Sequence, residues 1–288
     1  MSERSMKIAG IQMDVKIGEV SENLDKMIAR FKETRAEGAD LTIFPECALN
    51  GYCFDSLEEA RQFAEPIPGP SVQVMIDACA DFGGMVVFGM LEPVGENGVF
   101  NAAVMVNGNG LLGAYRKVHL PFLGVDQFST FGDRPFDVID AGDLKVGLNI
   151  CYDSAFPESS RELTLLGADL IALPTNWPPG AEHVAEHAIN TRAMENGVYY
   201  AAVNRVGHER GYDFIGQSRI CGVAGETLAV ANHRDEAILY ADIDPAVARK
   251  KRVERIPGKH SIDRLADRRP EFYNRIVEAH QLPKPGRE

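Results

Sequence analysis

The stretch that decides the fold is KVGLNICYDSAFPE, residues 145–158. The apolar run KVGLNI (145–150) is typical of a short buried β-strand, and the segment after Pro157 reads as a helix. Cys151 stands where the strand ends. Most free cysteines pack as small apolar side chains, so a catalytic role for Cys151 requires other reactive groups nearby.

The same alternation of strand and helix patterns continues on both sides of this stretch. Ser21 and Ser71 are placed to begin two helices with apolar residues on one face, and a longer helix covers roughly 182–196. Many strands interleaved with few helices favour two mixed sheets that face each other, with the helices outside. The strand patterns are KIAGIQM (7–13), DLTIF (40–44), MVVFGML (85–91), NAAVMV (101–106), LLGAYRKVHL (111–120), DLIALP (169–174), VYYAAVNRV (198–206), SRICGV (218–223), ETLAVA (226–231) and AILYADI (237–243).

Composition is that of a globular protein, with 45% hydrophobic and 25% charged residues among 288. No linker divides the chain, so we expect a single domain over residues 1–288, with a core at about 6–275 and a loose C-terminal end, PKPGRE. A net charge of −12 disfavours nucleic acid as a partner.

The cellular compartment is predicted from the N-terminal sequence and from the pattern of cysteines. MSERSMKIAG has no apolar signal-peptide core, and no apolar run reaches the ~20 residues of a membrane helix. The five cysteines form no CxxC pair, which fits a reducing compartment. These features predict a cytoplasmic protein without a membrane partner.

Three reactive side chains stand near strand ends, where loops commonly carry chemistry. Glu46 follows LTIFP, Lys117 lies late in LLGAYRKVHL, and Cys151 follows KVGLNI. A glutamate or lysine close to a core needs a partner, and these three would satisfy one another. A thiol also needs a base or a cation beside it to react at neutral pH, which Glu46 and Lys117 could supply.

TIFPECALNGY, YRKVHLP and NICYDSAFPE resemble, in this order and spacing, the three signature segments of the nitrilase superfamily of carbon–nitrogen hydrolases. The resemblance covers nearly the whole chain. It implies an α/β protein with a four-layer α-β-β-α sandwich, a homodimer or larger assembly, and catalysis without a cofactor or metal. Other similar segments are GADLIALPTNWP (167–178), TRAMENGVYYAAVNRVG (191–207), FIGQSRI (214–220) and DRRPEFY (267–273).

The resemblance also implies a role for each reactive residue. Glu46 is the general base, Lys117 stabilises the oxyanion, Cys151 is the nucleophile, and the backbone N–H of Tyr152 is a second oxyanion donor. Many family members carry a further acid, usually glutamate, after the lysine motif, but PFLGVDQFSTFGD contains none. Asp126 is the nearest candidate, and it would need a closer loop because aspartate is one methylene shorter.

Residues beside the motifs are expected to shape the substrate pocket: Tyr52, Phe156, Asn176 and Trp177. Relatives that act on nitriles tend to carry Trp-Glu after the cysteine, whereas this chain has Tyr152-Asp153. The pair favours amides and N-carbamoyl compounds over nitriles, and the expected function is cleavage of a small amide through a thioester, with release of ammonia or an amine. An N-carbamoyl amine or amino acid, or a nitrile, is the alternative substrate for the same triad.

Two short patterns suggest other functions. HVAEH (183–187) would place His183, Glu186 and His187 as in a zinc hydrolase, although no further ligand is identifiable. GNGLLG (108–113) matches a dinucleotide-binding pattern, but the strand-like AYRKVHLP that follows predicts a hairpin instead. A third hypothesis is a non-catalytic binding protein. It is disfavoured because all three triad residues are present.

Overall fold

The computed structural model describes residues 5–287. Residues 1–4 and 288, which the single-domain and signal-peptide predictions include, lie outside the described residues. The strands are β1 (Met6–Gln12), β2 (Leu41–Ile43), β3 (Met85–Val94), β4 (Gly98–Asn107), β5 (Gly110–Arg116), β6 (Val138–Asp140), β7 (Lys145–Leu148), β8 (Leu170–Thr175), β9 (Tyr199–Asn204), β10 (His208–Glu209), β11 (Tyr212–Asp213), β12 (Arg219–Cys221), β13 (Thr227–Val230), β14 (Ala237–Ile243), β15 (Val253–Ile256) and β16 (His260–Ile262).

Helices are fewer than strands in this part of the chain. The α-helices are α1 (Val20–Ala36), α2 (Leu57–Arg61), α3 (Pro70–Phe82), α4 (Pro157–Leu165), α5 (Ile189–Asn196), α6 (Pro245–Arg249) and α7 (Asn274–Val277). Short 3₁₀ segments cover Gly124–Gln127, Cys151–Ala155 and Pro270–Phe272, and a π-helical turn covers Val184–Ala188.

Two six-stranded mixed sheets form the centre, in the orders β14-β1-β2-β3-β4-β5 and β13-β12-β9-β8-β7-β6. Strands β1, β2 and β3 run parallel, as do β7, β8 and β9, and the flanking pairs are antiparallel. The segments that follow β2 and β5 in the first sheet, and β7 and β8 in the second, carry the candidate site residues. Each sheet therefore presents the carboxyl ends of parallel strands, where loops can hold functional groups.

Apolar side chains hold the four layers together. Helices α1 and α3 bury Met27, Phe31 and Met75 against the first sheet, while Leu163 of α4 and Ile189 of α5 pack on the second. Another part of the core joins residues from both sheets, including the inward faces of β2, β3, β8 and β9. This arrangement confirms the predicted α-β-β-α sandwich of two mixed sheets with helices outside.

Helix boundaries depart from the sequence predictions. Helix α1 begins at Val20, before Ser21, and α3 begins at Pro70, before Ser71, so neither serine is the residue that caps its helix. Pro70 suits the first helical position because its φ is fixed near helical values and it has no N–H to satisfy. The helix expected at 182–196 is present, and residues Val184–Ala188 within it form a π-helical turn that leads into α5.

The last residues, predicted as a loose end, contact the loop that carries Asp126. Arg287 donates to the backbone carbonyl oxygen of Asp126, and Lys284 Nζ lies 4.1 Å from the ring centroid of Phe131. No helix between residues 5 and 287 is both long enough and apolar enough to cross a membrane.

Candidate active site

Glu46 lies three residues beyond β2 and is fully buried. Its backbone approaches β3 so closely that a Cβ on Gly89 would lie 2.7 Å from Glu46 Cα. Glu46 Oε1 accepts from Lys117 Nζ at 2.6 Å and from Asn101 Nδ2 at 2.7 Å. Glu46 Oε2 has no hydrogen-bond partner among the described residues, so one oxygen of this carboxylate is available for chemistry.

Lys117 directly follows β5, and its backbone N–H donates to the carbonyl oxygen of Asn101 on β4. Its buried ammonium donates to Glu46 Oε1 and to Asp126 Oδ2, each at 2.6 Å. An ammonium has three donors, so the third can serve a substrate oxygen.

Asp126 lies in the 3₁₀ segment Gly124–Gln127 and is also fully buried. Besides Lys117, it accepts from the Tyr52 hydroxyl at 2.8 Å and from Asn101 Nδ2 at 2.9 Å. The loop thus comes close enough for an aspartate to reach the lysine, as the sequence requires of Asp126. Asp133, the other acid of this loop, is half exposed and pairs with Arg116.

Cys151 opens the 3₁₀ segment after β7 with an unusual backbone φ of 43° and a side chain that is nearly buried. The carboxylate of Asp153 accepts from the N–H of Ile150 at 2.8 Å and from the Tyr115 hydroxyl at 2.9 Å. It also contacts His119 Nδ1 at 2.7 Å. Asp153 therefore ties the cysteine turn to the chain on both sides of Lys117.

Electrostatics link the three predicted triad residues. Burial raises the pKa of Glu46, and the charge of Asp126 adds to this rise, while Lys117 and Asn101 oppose it. Burial alone would lower the pKa of Lys117, but the carboxylates of Asp126 and Glu46 raise it well above the ordinary lysine value. The lysine is therefore held as a cation.

The cysteine is held as a thiol. Burial and the charge of Glu46 raise the pKa of Cys151 to about 12, against opposing effects of Lys117 and of Thr175 and Asn176 at the end of β8. Since the thiol keeps its proton at neutral pH, attack on a substrate requires a base that removes the proton. The neighbouring Glu46 carboxylate has that capacity.

The other predicted site residues surround this cluster in different ways. Asn176 is buried and donates to the backbone carbonyl oxygen of Glu46 at 3.0 Å, and Trp177 is buried beside it. Tyr52 contacts the cluster through its hydroxyl, which donates to Asp126 Oδ2. Phe156 stacks on His119 with ring centroids 3.8 Å apart.

Tyr152 follows Cys151 directly and is 41% exposed. Its ring packs edge-on against Phe156, with centroids 5.1 Å apart.

Neither alternative pattern contributes a residue to the cluster of Glu46, Lys117, Asp126 and Cys151. Glu186 and His187 are exposed on the π-helical turn, and no group of three or more His, Cys, Asp or Glu between residues 5 and 287 is arranged to hold a metal ion. GNGLLG forms the predicted hairpin, with Asn107 paired to Gly110. A cavity of about 670 Å³ lies between α4 and residues 264–277, and Cys151 is not among the residues that line it.

Two residues of the cluster were not predicted from the sequence. Asn101 lies in the middle of β4 and bridges Glu46 and Asp126, and Asp153 anchors the cysteine turn. An asparagine within the apolar run VFNAAVMV is the only local signal for Asn101. A buried amide in such a strand requires hydrogen-bond partners, and here these are the two acids.

The chain is similar to known proteins over most of its length. Residues 7–253 match the family model described as carbon-nitrogen hydrolase. A protein of Pyrococcus abyssi named nitrilase is 39% identical, over 94% of this chain and 100% of the relative. An (R)-stereoselective amidase of a Pseudomonas species is 33% identical, over 92% of each chain.

Solved structures give the same relationship. An amidase from a Nesterenkonia species superposes with a TM-score of 0.79 at 25% identity, covering 96% of this chain and 98% of that one. A glutamate-to-leucine variant of that amidase carries the acetamide moiety of fluoroacetamide on its active-site cysteine. The chain therefore belongs to the carbon–nitrogen hydrolase family of the nitrilase superfamily and is a hydrolase.

Proposed function

We propose that this hydrolase cleaves small amides through a thioester on Cys151, with Glu46 as base and Lys117 as oxyanion donor. The observation that carries the proposal is the buried contact between Glu46 and Lys117 beside a protonated thiol. Relatives named amidases and an amidase adduct on the active-site cysteine support the same chemistry.

The first half of the reaction forms the acyl-enzyme. The Cys151 thiol passes its proton to Glu46 Oε2 while the sulfur attacks the carbonyl carbon. The third proton of the Lys117 ammonium and the Tyr152 N–H bind the resulting oxyanion, and Glu46 returns the proton to the nitrogen as the C–N bond breaks. A positioned base contributes about 10²–10⁴ in rate, and an oxyanion donor about 10²–10³.

The second half releases the product. Glu46 removes a proton from water, the resulting hydroxide attacks the thioester carbon, and the C–S bond breaks. The proton returns to sulfur, and the carboxylic acid leaves. Dividing one difficult hydrolysis into two easier steps is the benefit of a covalent intermediate.

Nitrile hydrolysis is a second candidate, favoured by the 39% identical relative named nitrilase. In that reaction the thiolate adds to the nitrile carbon. The Tyr152-Asp153 pair, in place of Trp-Glu, favours the amide. An N-carbamoyl group is a third substrate for the same residues, since it also presents a carbonyl carbon bonded to nitrogen.

The expected partners follow from this proposal. The substrate is a small molecule, and the enzyme acts in the cytoplasm as a homodimer or larger homo-oligomer, without nucleic acid or membrane. Exposed apolar residues near the C-terminus, including Phe272, Ile276 and Val277, give a second copy a surface to bury. Light scattering of the purified protein measures the assembly.

Ammonia release from simple amides, ω-amides of dicarboxylates, N-carbamoyl amino acids and nitriles tests the function. We expect turnover of amides that is lost in Cys151→Ala and kept in Cys221→Ala, a matched control because Cys221 is buried in the core of the second sheet. Acid quench followed by mass spectrometry should show the acyl group on Cys151. Turnover of nitriles alone refutes the amide assignment, and activity that survives Cys151→Ala refutes the thiol mechanism.

A further inference from the structure

A single amide bridges the two carboxylates of the cluster. Asn101 Nδ2 lies 2.7 Å from Glu46 Oε1 and 2.9 Å from Asp126 Oδ1, and all three side chains are buried. The ammonium of Lys117 closes the ring from the other side with 2.6 Å contacts to the same two acids. Each donor therefore serves both acids.

Both hydrogens of the Asn101 amide are used in this ring. An amide nitrogen carries two hydrogens, and Asn101 gives one to each carboxylate. Glu46 Oε1 thus accepts from both Asn101 and Lys117, whereas Oε2 has no partner among residues 5–287. The two oxygens of one carboxylate are in this way made different.

The orientation of the Asn101 amide is fixed by its other end. Its Oδ1 accepts from the Cys47 thiol at 3.7 Å. Turning the amide over would place Oδ1 against two carboxylates and leave the acids without these donors. The hydrogen-bond network therefore permits one assignment of the amide atoms.

We propose that Asn101 is a positioning residue that saturates Glu46 Oε1 and so makes Oε2 the oxygen that exchanges protons with the thiol and the leaving group. The proposal rests on the function proposed above and goes beyond it by assigning the reacting oxygen. Asn101 acts through Glu46 and does not itself touch the substrate.

The charged groups around Glu46 define what a pH profile will report. Lys117 follows β5, Asp126 lies in the 3₁₀ segment, and Cys151 follows β7. The thiol of Cys47 is adjacent in sequence, and burial raises its pKa well above the ordinary value. Since Lys117 stays charged and both thiols stay protonated, the acid limb of the rate reports Glu46, whose pKa the charge of Asp126 helps to raise.

Two nearly isosteric variants test the proposal, Asn101→Leu and Asn101→Asp, in the full chain. Asn101→Leu removes both N–H donors that favour the charged carboxylate, so the acid limb of kcat/KM should move to higher pH by about 1 to 2 units. Asn101→Asp replaces the amide with an acid whose negative charge, when ionised, adds to the same upward shift. Asn107→Ala is the matched control, because Asn107 ends the same strand and contacts the turn at Asn109. Its limb should match that of the wild type.

Alkylation of Cys151 by chloroacetamide provides a second readout that needs no known substrate. The reaction forms an S–C bond, expels chloride and passes the thiol proton to Glu46, and mass spectrometry gives its rate at each pH. The same upward shift in both Asn101 variants supports the assignment. The shift in the alkylation assay supports the assignment even if the wild type hydrolyses nothing in the substrate panel. Such a lack of turnover refutes the proposed function and leaves the assignment of the oxygen standing.

The assignment is overturned if a folded variant, verified by circular dichroism, keeps the wild-type acid limb in both assays. It is equally overturned if the rate falls by one constant factor at every pH, because that result indicates only a structural defect. If Asn101→Leu does not fold, Asn101→Asp decides between these outcomes.

Discussion

Replacing Asp126 with asparagine tests how the buried lysine is held. Asp126 accepts from Lys117, Tyr52 and Asn101 at 2.6, 2.8 and 2.9 Å. An asparagine retains one oxygen for the lysine and the tyrosine, but its amide nitrogen then faces the Asn101 nitrogen. Two donors meet without an acceptor, and the lysine loses one of its two negative partners.

The size of the effect follows from these contacts. A buried donor without a partner costs about 1–3 kcal/mol, and complete loss of a buried charged partner about 3–5 kcal/mol. Because Lys117 retains Glu46, we expect a destabilisation of about 3 kcal/mol, which lowers the Tm by about 6–12 °C. Asp133→Asn removes a half-exposed partner of Arg116, which retains Glu92, and should cost less than about 1 kcal/mol.

Kinetics give the sign of the electrostatic effect. The charge of Asp126 contributes to the raised pKa of Glu46, so its removal lowers that pKa and moves the acid limb of kcat/KM to lower pH. This is the opposite of the shift expected for the Asn101 variants. Thermal melts and pH–rate profiles of Asp126→Asn and Asp133→Asn together test the reasoning. Equal, small changes in Tm, or a limb that moves upward in Asp126→Asn, refute it.

Three further predictions concern other parts of the site. Burial raises the pKa of Cys151 to about 12 and the pKa of Glu46 above its usual value. We therefore expect kcat/KM to rise once from the acid side and then to stay level through neutral pH. A second rise of kcat/KM near neutral pH contradicts this expectation. Asp153→Asn should lower kcat by up to about 10²-fold with a smaller effect on KM, measured by steady-state kinetics, because the cysteine turn loses its anchor. The double variant His183→Ala, His187→Ala and a chelator should leave activity unchanged, and stoichiometric zinc by metal analysis contradicts this.

The layered fold could be predicted because its signals are local. Alternating patterns identify the strands, and i, i+3, i+4 apolar spacing identifies the outer helices. The first residues of the helices could not be predicted in this way. Helix α3 begins at Pro70 with Gly69 as its cap, although the sequence suggested Ser71. The position of the tail depends on long-range contacts between Arg287 and the Asp126 loop, and no local pattern carries that information.

Asn101 shows why part of the site escaped prediction. A simple hairpin count from the pair Asn107–Gly110 would set Asn101 opposite Arg116. A β-bulge between Met105 and Val106 shifts the register by one residue, so that Ala102 pairs with Arg116 and Asn101 lies beside Lys117. A bulge changes which residues face each other, and its place depends on the packing of the whole sheet.

Gly124 explains why an aspartate, which is shorter than a glutamate, reaches Lys117 from position 126. A Cβ there would lie 2.3 Å from Tyr52 Cε1, and the φ of +50° is one that side chains rarely adopt. Only glycine lets the loop rest on the tyrosine ring, and this contact brings Asp126 within reach of Lys117.

Gly124→Ala should therefore push the loop away from Tyr52, weaken the Asp126–Lys117 contact and lower kcat. Gly142→Ala is the matched control, because it has a φ of +83° and no atom within 4 Å of the added Cβ, so it pays only the backbone strain of about 1–2 kcal/mol. Adding Asp126→Glu to Gly124→Ala should restore part of kcat, since the longer acid reaches across the displaced loop. If the double variant is no more active than Gly124→Ala alone, loop distance does not explain the aspartate.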